Sequence, residues 1–298
     1  MAENDALLER YSLLGIDISE LTKSRTRNAL RVNTLKIAEE ELVARLRQKG
    51  VKLEKVPFLK NGYFYESKFS LGATPEYLQG FYYLQEAASQ VPAEVLMPQP
   101  GEAVLDMAAS PGSKTTHIAQ LMENRGIIVA IDNDPKRFGA LKNNLERCSV
   151  KSCTCMLMDA RNINSLDMQF DRILLDAPCS GNFCVERNFF SKRKPEDFSN
   201  RAELQKELLN AAISVLKKGG TLVYSTCSLE PEEDELVIDW LLKAHPNLVA
   251  IDTGMSVGDP GMVSVFGKEL NPEVAKCRRF WPNKTGTQGF FVAKLKKS

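Results

Sequence analysis

From about Gly101 onward, short apolar runs alternate with stretches of helical periodicity. AVLDM, IIVAID, TCMLMDA, RILLDAP and TLVYSTC are rich in β-branched residues and predict five strands. Between them, KTTHIAQLME, PKRFGALKNNLERC and RAELQKELLNAAISVLKKG predict helices. Pro135 stands at a helix start, and Gly219 with Gly220 reads as a helix stop. Strand alternating with helix predicts an α/β domain, a mostly parallel sheet with helices on both faces. EEDELVIDWLLKAH adds a helix, and LVAID and GFFVAKL add two strands, which makes seven.

The first eighty residues carry a different pattern. ALLERYSLLG and EEELVARLRQKG predict helices, and ALRVNTL and the stretch around GYFYE predict strands. We expect a small α+β module over residues 1–80 and the larger domain over 81–298. A helix within TPEYLQGFYYLQEAASQVPAEVL is expected to join them. Two weakly patterned stretches are expected to be loops: the charged segment from Asn182 to Asn200, and Gly254 to Asn271.

The length, 298 residues, suits one large domain with a small one beside it. The formal net charge is +1, so a nucleic-acid surface would have to come from local clustering. No apolar stretch is long enough to span a bilayer, and MAENDALLER is polar and acidic rather than signal-like. We therefore expect a cytoplasmic protein with no membrane partner. Its seven cysteines are then reduced thiols. Cys148, Cys153 and Cys155 lack the paired spacing of a zinc site, and no metal is expected. Cys184 and Cys277 read as packing residues, which leaves Cys179 and Cys227.

Ligands of open α/β sheets bind beyond the carboxyl ends of the strands. There the chain reads AVLDMAASPGSKTTHIAQ: a strand, a turn of small residues, then a helix. Ala108, Ala109, Ser110, Pro111, Gly112 and Ser113 let a ligand approach the backbone, and Lys114 opens the helix. Asp132 closes the second strand twenty residues after Gly112, where an acid can accept ribose hydroxyls, with Arg137 in support. Asp159 ends the third strand, facing an adenine amino group, and Asp106 and Asp176 end two others. Four acids at successive strand ends would crowd like charges at one rim unless a ligand met them. The turn is neither a phosphate loop nor a dinucleotide fingerprint, because the glycine spacing of both is absent. A nucleoside without a pyrophosphate fits, and S-adenosyl-L-methionine is such a ligand.

Cys179 follows the fourth strand in DAPCSG, and Cys227 ends the fifth in TLVYSTCS. These strands are expected side by side, about 4.8 Å apart, so both thiols reach the ligand rim. Reduced thiols there are candidate nucleophiles or acid–base groups. The strand order alone leaves open which one attacks. DNA cytosine-5 methyltransferases use a Pro-Cys pair after the fourth strand, which would point to Cys179.

LDMAASPGSKT, DAPCSG, STCS and the closing GTQGFFVAKL, with RNALRVNTLK near the N-terminus, resemble the motifs of the Sun-type RNA cytosine-5 methyltransferases. The resemblance implies a Rossmann-like methyltransferase fold over 81–298 and an RNA-binding module over 1–80. It implies a cytosine-5 methyltransferase using S-adenosyl-L-methionine through a covalent bond at carbon 6. Cys227 is then the nucleophile and Cys179 assists product release. Asp176 holds the base at ring nitrogen 3, and Lys114 orients the base or that acid. The short N-terminal module looks more like archaeal transfer RNA enzymes, so transfer RNA is the expected partner of a chain acting as a monomer. The same chemistry on ribosomal RNA is the alternative. Methylation of an exocyclic amine would call for [ND]-P-P-[YF] where this chain has DAPC. A non-catalytic RNA-binding factor would not need both cysteines. Departures from the family pattern are AASPGSK in the first motif, and Asn283 and Gln288 near the C-terminus. Local basic clusters could form an RNA track: Arg25, Arg27 and Arg31; Arg187, Lys192, Arg193 and Lys194; Lys276, Arg278, Arg279 and Lys284.

Overall fold

The computed structural model describes residues 2–186 and 188–298. Helices α1 (Ala2–Leu13) and α2 (Ile18–Lys23) precede an antiparallel sheet of four strands. These are β1 (Ala29–Val32), β2 (Lys52–Lys55), β3 (Gly62–Glu66) and β4 (Tyr82–Leu84), in the order β2-β3-β1-β4. Helix α3 (Glu39–Gln48) lies between β1 and β2 in sequence and buries Leu42 and Leu46 with Leu30, Val32 and Tyr82. Its three leading glutamates and its arginines near the end suit the helix dipole.

The joining segment is not one helix. Thr74 caps a single turn, α4 (Pro75–Leu78), before FYYL turns extended and pairs as β4 with β1. Only then does Glu86 cap α5 (Ala87–Leu96). The aromatic residues prefer the pleated surface of the sheet to a helix.

The second sheet contains β5 (Ala103–Asp106), β6 (Ile127–Asp132), β7 (Cys153–Leu157), β8 (Phe170–Asp176), β9 (Leu216–Thr226), β10 (Leu248–Ile251), β11 (Asp259–Pro260), β14 (Arg278–Phe280) and β15 (Phe290–Lys297). A small hairpin, β12 (Ser264–Val265) with β13 (Lys268–Glu269), stands apart. The order is β11-β14-β15-β9-β8-β5-β6-β7, with β10 also on β15. Strands β5 to β9 run parallel, and β15 inserts antiparallel beside β9. The chain moves from β5 outward to β7, then restarts at β8 on the other side of β5. That reversal opens the crevice where ligands of such sheets bind. Among the described residues the sheet has nine strands rather than seven. The extra ones, β11 and β14, are two and three residues long, too short for any alternation to show in sequence.

Alternate residues face opposite layers. Leu105, Ile131, Leu175 and Phe291 pack towards α9 (Pro195–Val215) and α10 (Glu235–Ala244). Val104, Ile128, Leu174 and Phe290 pack towards α5 and α6 (Ser113–Leu121). Helix α7 (Pro135–Arg147) covers the β6–β7 end, with Asp134 as its cap and Pro135 in its first turn.

The segment 182–200 is not loop throughout. It holds a helical turn, α8 (Phe189–Lys192), and the first residues of α9. Phe189 and Phe198 stack and bury with Leu7. At the other end α9 stops at Val215, and Gly219 lies inside β9 with φ of +75°, beside a register shift against β8. Segment 254–271 likewise carries β11 and the β12–β13 hairpin. Helix α11 (Pro282–Thr285) precedes β15. Among the described residues no helix is long and apolar enough to cross a membrane.

Candidate active site

The turn after β5 is held from several sides. The Ser110–Pro111 peptide is cis, and Gly112 has φ of +101°, a conformation that favours glycine. Arg137 donates to the Ser110 carbonyl at 2.5 Å, and Asn144 to the Pro111 carbonyl at 2.9 Å. Asp132, buried at the end of β6, accepts from the Ser110 N–H at 3.0 Å and the Asp134 N–H at 2.9 Å. Each of its oxygens keeps a lone pair for a further donor. Asp106 is wholly buried; one oxygen accepts from Thr115 at 2.7 Å and the other has no partner among the described residues. Burial pushes its carboxyl up to about 6.

Beside this turn lies an open cleft lined by Ala108, Asp132, Arg137, Met158, Asp159 and Pro178, among others. Its lining has the chemistry a nucleoside calls for, apolar side chains such as Met158 and Pro178 for a ring and the buried Asp132 for a ribose. Asp159 sits here, but Arg161 grips its carboxylate at 2.6 Å and holds it below the usual range. Met158 escaped the sequence reading; its position one residue before Asp159 was the available signal. Of the turn, Ala108 lines the cleft, whereas Ala109, Ser110, Pro111, Gly112 and Ser113 are not among its lining residues.

On the β8–β9 side, the parallel register sets Asp176 opposite Ser225. Ser225 donates to one Asp176 oxygen at 2.7 Å, and Lys114 meets the other at 2.6 Å. The Lys114 ammonium also donates to Ser89 at 3.0 Å and stands 5.9 Å from the Phe290 ring. Past these strand ends the two thiols converge. Cys179 Sγ and Cys227 Sγ are 2.9 Å apart, both half-buried and free. The Cys227 sulfur, burial and the Glu233 carboxylate push the Cys179 thiol well above its usual range. Asn182 donates to the Cys227 carbonyl at 2.6 Å and to the Gly289 carbonyl at 3.1 Å, tying the second thiol to the start of β15. Ser89 and Asn182 carried no motif of their own and were missed in the sequence; Ser225 opens the STCS motif but was given no role.

Of the two departures near the C-terminus, Asn283 lies in α11, and the Gln288 N–H donates to Glu86 at 3.0 Å. Burial pushes Glu86 up to about 7.

The basic clusters divide. Arg31 is buried, bonded to Gln85, Gln120 and Thr116, and ties β1 to α6 rather than facing RNA. Arg279 is equally buried between Asp234 and Glu235. Lys276 pairs with Glu273, Lys284 with Asp259, and Arg27 with Glu54. Lys192, Arg193 and Arg201 line an open depression with Cys179. Arg187 lies outside the described residues.

The chain matches the 16S rRNA methyltransferase RsmB/F family over residues 93–296 and the N-terminal domain of 16S rRNA methyltransferase RsmF over 7–87. It is 39% identical to the 25S rRNA (cytosine-C(5))-methyltransferase nop2 of Schizosaccharomyces pombe, over 98% of this chain but only 50% of that protein. It is also 39% identical to the tRNA (cytosine(49)-C(5))-methyltransferase of Pyrococcus abyssi, covering 99% of this chain and 96% of the relative. A solved methyltransferase homolog from Pyrococcus horikoshii superposes with a TM-score of 0.90 at 41% identity, over 98% and 95% of the two chains. The chain belongs to the RsmB/F methyltransferase family.

Proposed function

We propose that the protein methylates carbon 5 of cytosine in RNA, with S-adenosylmethionine as methyl donor and transfer RNA as substrate. The observation that carries this reading is the pair of free thiols 2.9 Å apart just past the strand ends that carry the Lys114–Asp176 pair, with Pro178, next to Cys179, lining the cleft at Asp132. Transfer RNA is the proposed substrate on the 39% identity to the tRNA enzyme of Pyrococcus abyssi over 99% of this chain, and ribosomal RNA is the second reading, on the 39% identity to the enzyme of Schizosaccharomyces pombe.

When bound, the donor supplies an electrophilic methyl carbon on a sulfonium. Asp132 takes the ribose hydroxyls with its free lone pairs, and Arg137 holds the turn that shapes the methionine end. The target base leaves its stack to enter between the thiols and Asp176. The Cys227 thiolate forms a bond to carbon 6, and the pair of the carbon 5–carbon 6 double bond moves onto carbon 5 as the nucleophile. Asp176 meets ring nitrogen 3, and Lys114 places positive charge where electron density builds. After methylation, loss of the carbon 5 proton restores the double bond as the carbon–sulfur bond breaks and Cys227 departs as thiolate. Cys179, beside that sulfur, assists this step. Lys192, Arg193 and Arg201 flank Cys179, where the phosphates next to the extruded nucleotide pass.

Transfer of a labelled methyl group to bulk RNA, followed by nucleoside analysis, tests the proposal. It predicts 5-methylcytidine in the transfer RNA fraction. A label on an exocyclic amine, or none in any RNA, would overturn it.

A further inference from the structure

Glu233 lies wholly buried between β9 and α10 and has no part in the chemistry above. One of its oxygens accepts from the Ser180 N–H at 3.0 Å and from Gln205 at 2.9 Å. The other accepts from the Ser228 hydroxyl at 2.9 Å and from the Ser180 hydroxyl. Burial pushes this carboxyl up and its hydrogen bonds pull it back down; as a carboxylate it accepts from all four donors. Ser180 directly follows Cys179, and Ser228 directly follows Cys227. One carboxylate therefore ties together the two turns that carry the thiols. Gln205 also donates to the Pro178 carbonyl at 3.1 Å, so α9 fastens the same knot from the far side.

Two sulfurs 2.9 Å apart resist holding two negative charges, so the pair ionises one proton at a time. Which sulfur keeps the remaining proton depends on the charges around them. Cys179 faces Cys227 from β9, Glu233, and the rim of Lys192, Arg193, Asp197 and Arg201. Asp176, with Lys114 on it, lies on the β8 side. Behind Glu233 stand Tyr224, Glu230 and Asp234. The rim cations Lys192 and Arg193 are already paired with Glu186, and Glu233 is the carboxylate clamped to the turn that follows Cys179.

We propose that Glu233 is a positioning residue: it sets the spacing of the two sulfurs, and its charge keeps the shared proton on Cys179, leaving Cys227 as the attacking thiolate. This rests on the roles given to the two cysteines under the proposed function. Its test is chosen to fail separately from that reading.

Glu233→Gln removes the charge and keeps the shape. The amide oxygen takes over the Ser180 N–H and Gln205, and both serine hydroxyls rotate to accept from the amide nitrogen. The probe is alkylation of Cys179 by iodoacetamide against pH, read by peptide mass spectrometry in a Cys227→Ser background, with no RNA present. Without the negative charge the Cys179 thiolate costs less, so the alkylation midpoint moves to lower pH. In the intact pair the same change hands the proton to Cys227, and adduct formation with RNA slows about tenfold at neutral pH. Ser228→Ala keeps the charge and drops one tether; it slows adduct formation but leaves the alkylation midpoint in place. An unmoved or raised midpoint in Glu233→Gln overturns the proposal, as do identical midpoints in the two Glu233 and Ser228 variants. Absence of 5-methylcytidine from RNA treated with the wild type would sink the methyltransferase reading while leaving the alkylation result intact.

Discussion

Replacing Lys114 by methionine tests the part of the site that handles charge on the base. The Lys114 side chain is 9% exposed and Asp176 26% exposed, and the two lie 2.6 Å apart. Stripping one partner from a buried ion pair costs about 3–5 kcal/mol. Water reaches Asp176, which lowers the cost to roughly 2 kcal/mol. Lys114 faces the base where electron density builds, so taking the same ~2 kcal/mol as lost transition-state stabilisation gives, at 1.36 kcal/mol per factor of ten, ~30-fold in rate. Single-turnover methyl transfer at saturating labelled donor measures it, with donor affinity measured separately by calorimetry. Transfer should fall about 30-fold while the donor Kd stays within about threefold, because Lys114 reaches Asp176 and Ser89 and does not line the donor cleft. An unchanged transfer rate refutes the reasoning. So does a loss of donor affinity equal to the loss of rate, which would make Lys114 a donor-site residue alone.

Asp132→Ala should weaken S-adenosylhomocysteine binding at least tenfold by calorimetry, because it removes the ribose acceptor and also frees the Ser110 N–H. Arg279→Met leaves Asp234 and Glu235 buried without their cation and should cost about 3–5 kcal/mol of stability in denaturant unfolding. Arg201→Ala should do the opposite. It should leave stability unchanged and flatten the dependence of transfer RNA binding on salt by about one unit of slope, as expected for one lost phosphate contact.

The meeting of Cys179 and Cys227 was legible because chain order alone places the fourth and fifth strands of such a sheet side by side. Both cysteines lie just beyond the ends of those strands. The turn from Ala108 to Ser113 was legible for a similar reason, as small residues between a strand and a helix. Burial of charge was not legible. Arg31 looked like part of a surface cluster, yet its partners Gln85, Thr116 and Gln120 lie 54, 85 and 89 residues away. Arg279 was misread in the same way, its carboxylates coming from the start of α10. Glu233 was read only as part of the helix EEDELVIDWLLKAH, whereas α10 starts at Glu235 and Glu233 turns inward to Ser180, Gln205 and Ser228. The ends of α9 misled because local signals competed with packing. Phe189 and Phe198 pull the supposed loop inward, and strand pairing of β9 with β8 overrides the glycine stop at Gly219.

Trapping of the protein on cytosine-containing RNA tests the central claim most directly. Denaturing gels would follow Cys227→Ala and Cys179→Ala with RNA and S-adenosylmethionine. The account predicts no covalent band for Cys227→Ala and an accumulating band for Cys179→Ala, since one sulfur makes the bond and the other helps break it. The reverse pattern, or a band in both, would contradict it.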